Sequence, residues 1–164
     1  MKMIVYILIA PVLLVAGLYG WGLVLPEEHV VEVSREIWVA PDVLFARLIA
    51  FEEHPKWRRD VKSVVYDRVA QRVVEKSSMG ELPYRVLKVE AARLLETEID
   101  GGRSLGFGGT WRFHLAPAGG GTTLTITERG QVYSPMFRVM GKLFFAPEKT
   151  AKNYLEDLAE SFEK

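Results

Sequence analysis

The sequence places a carboxylate, Glu128, on an otherwise apolar strand face. The stretch GTWRFHLAPAGGGTTLTITERGQV, residues 109–132, is typical of a β-hairpin. Successive strand side chains point to opposite faces, so Glu128 shares a face with Leu124 and Ile126. A charged carboxylate on such a face costs several kcal/mol unless it is paired, protonated or placed at a cavity mouth.

Three interpretations of Glu128 remain open. It pairs with a basic side chain, for which the candidates are Arg85, Arg112 and Arg138. It orients a ligand or acts as an acid or base. Alternatively, Gly130 introduces a bulge that turns the carboxylate outward. Glu128 is therefore a weak catalytic candidate.

The other side chains that could contact a ligand are aromatic. Tyr84, Trp111 and Tyr133 carry amphipathic rings that bind a ligand or bury with a hydrogen bond. The three histidines, His29, His54 and His114, lack metal-ligand spacing. The sequence contains no cysteine, no phosphate-binding loop and no G-x-S-x-G motif. We therefore predict no metal and no cofactor, and we favour a function other than catalysis.

Composition narrows the class of partner. The chain has 164 residues, with 21 basic and 21 acidic side chains. A balanced charge without a basic run argues against a nucleic-acid partner. Oligomeric state does not follow from the sequence.

The first segment differs from the rest. Residues 3–25 carry no charge and would span about 34 Å as a helix, enough for a hydrocarbon core of roughly 30 Å. We predict a transmembrane anchor over residues 1–26, with a cleaved signal peptide or a buried core helix as alternatives. Because Lys2 precedes the span, the domain at 27–164 is expected on the extracytoplasmic side.

The elements that must position the candidate residues form an α+β domain. Alternation in residues 29–41 predicts a strand, and Pro41 opens a helix. Six more strand patterns separated by turns fill Val61 to Tyr133. Residues 134–164 predict a long amphipathic helix that Pro147 kinks or breaks near Phe145. One helix lying in a seven-stranded antiparallel curved sheet leaves a hollow between them.

This order of elements resembles the START/Bet v 1-like (SRPBCC) superfamily, in particular its polyketide cyclase/dehydrase and lipid-transport type. The resemblance rests on three stretches: IWVAPDVLFARLIAFEEHPKW, GGTWRFHLAPAGGGTTLTITERG and PMFRVMGKLFFAPEKTAKNYLEDLA. It covers residues 30–164. The superfamily includes lipid carriers, receptors and cyclases, so it is specific for fold and less so for function.

The resemblance implies a helix-grip fold with an apolar cavity. It places Trp57 beside the entrance, the hairpin face along the wall, and the terminal helix opposite. The predicted cavity residues are Trp57, Tyr84, Trp111, Phe113, Glu128, Tyr133, Met136, Phe137, Met140, Leu143 and Phe144. The leading hypothesis is a membrane-tethered module that binds or transfers a hydrophobic small molecule or lipid. A small cyclase or dehydratase and a structural or interaction domain with a filled core are the alternatives.

Overall fold

The computed structural model describes residues 2–144 and 147–163. The helices are α1 (Lys2–Val24), α2 (Pro41–Ile49), α3 (Pro135–Phe144) and α4 (Pro147–Glu160), with 3-10 helices at Phe51–Lys56 and Gly102–Ser104. The strands are β1 (Glu28–Ile37), β2 (Val61–Asp67), β3 (Arg72–Ser77), β4 (Glu81–Glu90), β5 (Leu94–Ile99), β6 (Phe107–Ala118) and β7 (Gly121–Val132). Elements follow the predicted order.

All seven strands form one antiparallel sheet in the order β1-β7-β6-β5-β4-β3-β2. Consecutive strands β2 to β7 are therefore neighbours, as short turns require. The β6–β7 hairpin turns at Gly119 and Gly120, which both have positive φ and so occupy backbone conformations that glycine adopts without steric cost. The predicted α+β class and seven-stranded sheet are confirmed.

The core lies between the inner face of the sheet and α4. Ala151, Leu155 and Leu158 recur at helical spacing along α4 and are buried. Leu124 and Ile126 of β7 face them and are fully buried. α2 adds its own apolar stripe to this core through the buried side chains Leu44, Phe45 and Leu48.

Proline divides the terminal helix, as predicted. α3 ends at Phe144 and α4 begins at Pro147, while residues 145–146 lie outside the described part. A proline within a helix removes one backbone hydrogen bond and clashes with the preceding turn. The two halves pack differently, α4 on the sheet and α3 against α1. The single long helix expected from sequence is thus two helices with separate partners.

A buried arginine fixes α1 to the domain. Arg138 of α3 donates from Nη1 to the carbonyl oxygens of Gly22 at 3.2 Å and Leu25 at 3.3 Å. Its Nε donates to the Val132 carbonyl at 2.8 Å, and its Nη2 forms an ion pair with Glu27. One guanidinium therefore joins the end of α1, the end of β7 and the start of α3.

The predicted transmembrane anchor at residues 3–25 is not supported. Crossing a bilayer requires about 20 consecutive apolar residues in one helix. Within the described part of the chain, no helix is long and apolar enough to cross a membrane.

Candidate functional site

One cross-strand row of the inner face lies beside the core that α4 covers. The register aligns Glu128 of β7 with Val31 of β1 on one side and with Trp111 of β6 on the other. Thr97 of β5 lies opposite Trp111, and Val86 of β4 lies opposite Thr97. Thr97 is buried, whereas the other four side chains are only partly buried. We call these five residues the open row.

Glu128 contacts a histidine rather than an arginine. The His29 Nε2 lies 3.3 Å from Oε1 of Glu128 and donates to it when that nitrogen carries the hydrogen. The His29 ring lies over Gly130, where a Cβ atom would come within 2.1 Å of Cε1. Gly130 therefore makes room for the ring, and the predicted arginine pairing of Glu128 is wrong because the glycine lets β1 supply the nearer partner.

One carboxylate oxygen of Glu128 lacks a hydrogen-bond partner among the described residues. Its Oε2 atom is buried, and no residue that the structure describes forms a hydrogen bond with it. The side chain as a whole is 15% exposed. A buried acceptor without a partner costs about 1–3 kcal/mol. We call this atom the open oxygen of Glu128 because its capacity to accept a hydrogen bond is unused, and a bound molecule donates to it once the side chains that bury it move aside.

A second carboxylate on the inner face is fully engaged. Glu75 of β3 is 4% exposed. Nη1 of Arg58 donates to both of its oxygens at 2.8 Å, and the Tyr84 hydroxyl donates to Oε1 at 2.8 Å. Nδ1 of His54 lies 3.2 Å from Oε1, and Nε2 of the same ring lies 3.0 Å from the Leu48 carbonyl. We call Glu75, Arg58, Tyr84 and His54 the Glu75 cluster.

These contacts fix the protonation of Glu75. Burial by itself would raise the pKa of Glu75, but the His54 hydrogen bond, the charge of Arg58 and the Tyr84 hydrogen bond outweigh it and lower that pKa. Burial, followed by the neighbouring Glu75 carboxylate, raises the pKa of Tyr84 well above its ordinary value. A saturated carboxylate with a lowered pKa is a poor proton acceptor, so the Glu75 cluster is a structural support.

Aromatic rings connect the Glu75 cluster to the open row. Tyr154 of α4 lies between them, with ring centroids 5.4 Å from Trp57 and 6.1 Å from Trp111. The Arg58 guanidinium lies over the Tyr154 ring at 4.9 Å. The indole Nε1 of Trp57 is buried and lacks a hydrogen-bond partner among the residues the structure describes. The row of aromatic rings beneath α4 therefore has a buried polar atom without a described partner at each end, the indole nitrogen of Trp57 at one and the open oxygen of Glu128 at the other.

Two grooves of the described chain run beside α4 rather than beneath it. The larger, about 880 Å³, lies between β1 and α4 and is lined mainly by polar side chains, with Val33 and Leu155 as its apolar members. The smaller, about 230 Å³, lies beside Trp38 and Phe162. Neither is the internal cavity predicted from the sequence, because buried core side chains occupy the space directly beneath α4.

The predicted cavity residues separate into two groups. Trp57, Tyr84, Trp111 and Phe113 pack around Tyr154 and the core, with Glu128 beside Trp111. The α3 members do not join them, because α3 packs mainly against α1 and meets the sheet only near the end of β7 and at Phe107 of β6. The exposed or partly exposed members of the second group are Tyr133, Met136, Phe137, Met140 and Leu143. The side chain of Phe144 lies outside the described part.

Sequence reasoning missed most of the polar residues. Glu75 gives the same signal as Glu128, because it shares its strand face with buried Val73 in RVVEKS. The alternation rule would have found it. Arg58, His29 and Tyr154 carry no comparable signal, because only tertiary contacts bring them to the inner face. No group of three or more His, Cys, Asp or Glu side chains in the described residues is placed to hold a metal ion.

Comparisons with known proteins agree with this fold. A family model described as polyketide cyclase / dehydrase and lipid transport matches residues 28–163. No curated protein shows significant sequence similarity to the chain.

Solved structures give the same architecture at low identity. A START superfamily protein from Mycobacterium smegmatis has 17% identity and a TM-score of 0.65, over 82% of this chain and 97% of that one. The Mll3558 protein from Rhizobium loti has 22% identity and a TM-score of 0.65, over 81% and 96%. Norcoclaurine synthase from Thalictrum flavum, in complex with dopamine and hydroxybenzaldehyde, has 10% identity and a TM-score of 0.66, over 87% and 90%. These likenesses concern the fold, and the family match shows that the chain belongs to the polyketide cyclase/dehydrase and lipid transport family.

Proposed function

We propose that this protein binds a hydrophobic or amphipathic small molecule over the open row, as a binding or transfer module. The open oxygen of Glu128 carries the proposal. It is a buried acceptor beside the partly exposed ring of Trp111. A ligand that covers Trp111 and donates to this oxygen would bury the exposed part of the ring and supply the missing hydrogen bond.

The energetics of the open row support this proposal. Val31, Val86 and Trp111 are apolar and only partly buried, although the neighbouring inner-face positions Ile126 and Phe113 are buried. Covering apolar surface stabilises a complex by roughly 25 cal/mol per Å². The open row therefore offers binding energy that the closed core beneath α4 does not.

The relatives offer a further argument by analogy. The matching family is described by both cyclase/dehydrase chemistry and lipid transport. The norcoclaurine synthase structure of the same fold contains dopamine and hydroxybenzaldehyde, which are small aromatic molecules. We extend to this chain only the general property of holding a small, largely apolar ligand against the sheet.

We also propose that α1 holds the domain at a lipid surface, with the domain on the extracytoplasmic side. The support is exposure: residues 10–17 are exposed on all sides of the helix and carry no charge. Such a surface favours hydrocarbon over water.

Flotation of the full chain with neutral phosphatidylcholine vesicles tests the contact between α1 and lipid. Leu13→Glu should abolish flotation, while Val65→Glu on the exposed face of β2 should not; sedimentation of the wild type would contradict the proposal.

Native mass spectrometry tests the binding proposal directly. The full chain, purified from a lipid-containing host, should carry a stoichiometric apolar adduct. Trp111→Ala should lose the adduct, whereas Trp38→Ala, which changes an exposed tryptophan beside the smaller groove, should retain it. A bare mass in the wild type, without uptake of added lipids, would reject binding and favour a structural or interaction domain with a filled core.

A small cyclase or dehydratase is the second candidate, because the His29–Glu128 pair provides a proton donor and acceptor next to the open row. Once an adduct is identified, incubation with the protein distinguishes the two. An enzyme converts the molecule and loses turnover in Glu128→Gln, while a binding module returns it unchanged.

A further inference from the structure

We infer that the ligand carries a hydrogen-bond donor, an ammonium or hydroxyl group, at the end that meets Glu128. This inference rests on the proposed function and names the chemical class of its ligand. Its basis is the juxtaposition of the open oxygen of Glu128, the His29 ring and the Trp111 ring on one face of the sheet.

The bonding pattern of Glu128 selects the polarity of the ligand. An ionised carboxylate only accepts hydrogen bonds. One oxygen already meets His29 Nε2 at 3.3 Å, which leaves the open oxygen for a donor. A ligand carboxylate in the same position would place two acceptors against each other.

The surroundings add selectivity. Arg112 follows Trp111 in β6, and Arg129 follows Glu128 in β7. Because successive strand side chains alternate between faces, both arginines point to the other face of the sheet. Arg112 pairs with Glu96 there, at 3.0 Å. No arginine of these two strands therefore shares the inner face with Glu128 to receive an anionic ligand.

Geometry holds the pair in place. The His29 ring lies against Gly130, and β1 pairs with β7 through the register His29–Gly130 and Val31–Glu128. The ring thus restricts the direction from which a ligand approaches, leaving the Trp111 side. An aromatic or alicyclic body would lie over the indole, with its polar end at the open oxygen.

Three probes with one body test the inference: 2-(2-naphthyl)ethylammonium, 2-(2-naphthyl)ethanol and 2-naphthylacetate. Each is titrated by calorimetry against the full chain in neutral lipid nanodiscs, with empty nanodiscs as the blank. The ammonium and alcohol should each bind at least tenfold more tightly than the carboxylate, since a hydrogen bond to a charged group contributes about that factor. Glu128→Gln should bring the ammonium-to-carboxylate ratio close to one.

A matched variant separates the outcomes. Glu98→Gln makes the same chemical change at an exposed position of β5 and should leave the ratio as in the wild type. Equal binding of all three probes, or an unchanged ratio in Glu128→Gln, would overturn the inference while leaving the proposed function standing. If none of the three binds, the inference and the proposed function both fail.

Discussion

Two glutamates on the inner face of this sheet have opposite surroundings. Glu75 contacts the polar groups of three side chains and is 4% exposed, while among the described residues Glu128 contacts the polar group of His29 alone and retains the open oxygen. Both occupy positions where alternation predicts an apolar residue. The difference lies in what packs over them, because the Phe51–Lys56 helix and the following loop bring Arg58 and His54 to Glu75.

The comparison separates a carboxylate whose contacts support the fold from one that we propose meets a ligand. Removing a partner from a saturated buried charge leaves the other charges unpaired. Removing the charge of an under-saturated carboxylate relieves a desolvation cost instead. Substitution of Glu75 should therefore lower stability more than substitution of Glu128. Substitution of Glu128 should in turn weaken ligand binding more than substitution of Glu75.

The largest effect is expected for Glu75→Ala. This substitution removes the buried carboxylate that Arg58, Tyr84 and His54 share and leaves Arg58 with the exposed Asp60 as its partner, so unfolding free energy should fall by about 3–5 kcal/mol. Chemical denaturation of the full chain measures it. Glu98→Ala, at an exposed position, should change stability by less than about 0.5 kcal/mol. Similar losses for the two variants would erase the distinction between a supporting and a surface carboxylate.

Acid should weaken the fold through the same cluster. The folded-state pKa of Glu75 is lowered from the ordinary value of 4.5, so its ionised form stabilises the fold above that pH. That contribution is lost as the pH falls through the folded pKa. Denaturation midpoints of the wild type should therefore decline with acid below about pH 4.5. Glu75→Gln should show a shallower decline, and identical slopes would contradict the role assigned to Glu75.

Gly130→Ala should have an intermediate effect. The added Cβ would overlap the His29 ring, which must move away from Glu128. Overpacking of this kind costs about 1–3 kcal/mol. Thermal unfolding measures the loss, and the probe titrations should show altered ammonium binding. Gly80→Ala is a useful comparison, since its Cβ meets no atom within 4 Å and any cost comes from its positive φ alone. Unchanged stability and unchanged ammonium binding in Gly130→Ala would show that His29 takes no part in ligand binding.

The smallest stability effect is expected for Glu128→Gln. Replacing the carboxylate with an amide weakens one contact with a partly exposed histidine and also removes the buried carboxylate oxygen that lacks a partner among the described residues. We expect unfolding free energy to change by less than about 1 kcal/mol, well below the effect of Glu75→Ala. Denaturation under identical conditions checks it. A loss as large as that of Glu75→Ala would mean that Glu128 supports the fold rather than a ligand.

Alternation along the strands predicted the face of Glu128 but not its partner. The hairpin sequence was sufficient to place Glu128 with Leu124 and Ile126, and the register places it beside Trp111. The partner depends on which strand joins the free edge of β7. His29 became that partner because β1 pairs there and Gly130 leaves space for the ring. No local pattern encodes this contact.

The terminal helix shows the same limit. Pro147 predicted the break, since proline interrupts the helical hydrogen bonds wherever it stands. The destination of α3 was not predictable, because its apolar face is satisfied equally by the sheet or by α1. Arg138 and the close approach of Gly22 to Pro135 favour α1 in the folded chain.

One strand of the sheet contains a proline. β4 begins at Glu81 and includes Pro83. Pro83 pairs with Val74, and its carbonyl accepts the Asp100 amide at 2.8 Å. The ring removes one donor without ending the strand, which a propensity argument does not anticipate.

The four tryptophans provide the most direct test of where a ligand binds. Trp111 lies in the open row, Trp57 beside the Glu75 cluster, Trp38 at the smaller groove and Trp21 on α1. Indole ¹H–¹⁵N correlation spectra of the full chain in nanodiscs resolve each ring once single Trp→Phe variants assign the signals. Titration with 2-(2-naphthyl)ethylammonium should shift the Trp111 signal most in the wild type and leave it nearly unmoved in Glu128→Gln. A titration that shifts the Trp38 signal and leaves the Trp111 signal unmoved would contradict ligand binding over the open row, because the ligand would then occupy the smaller groove.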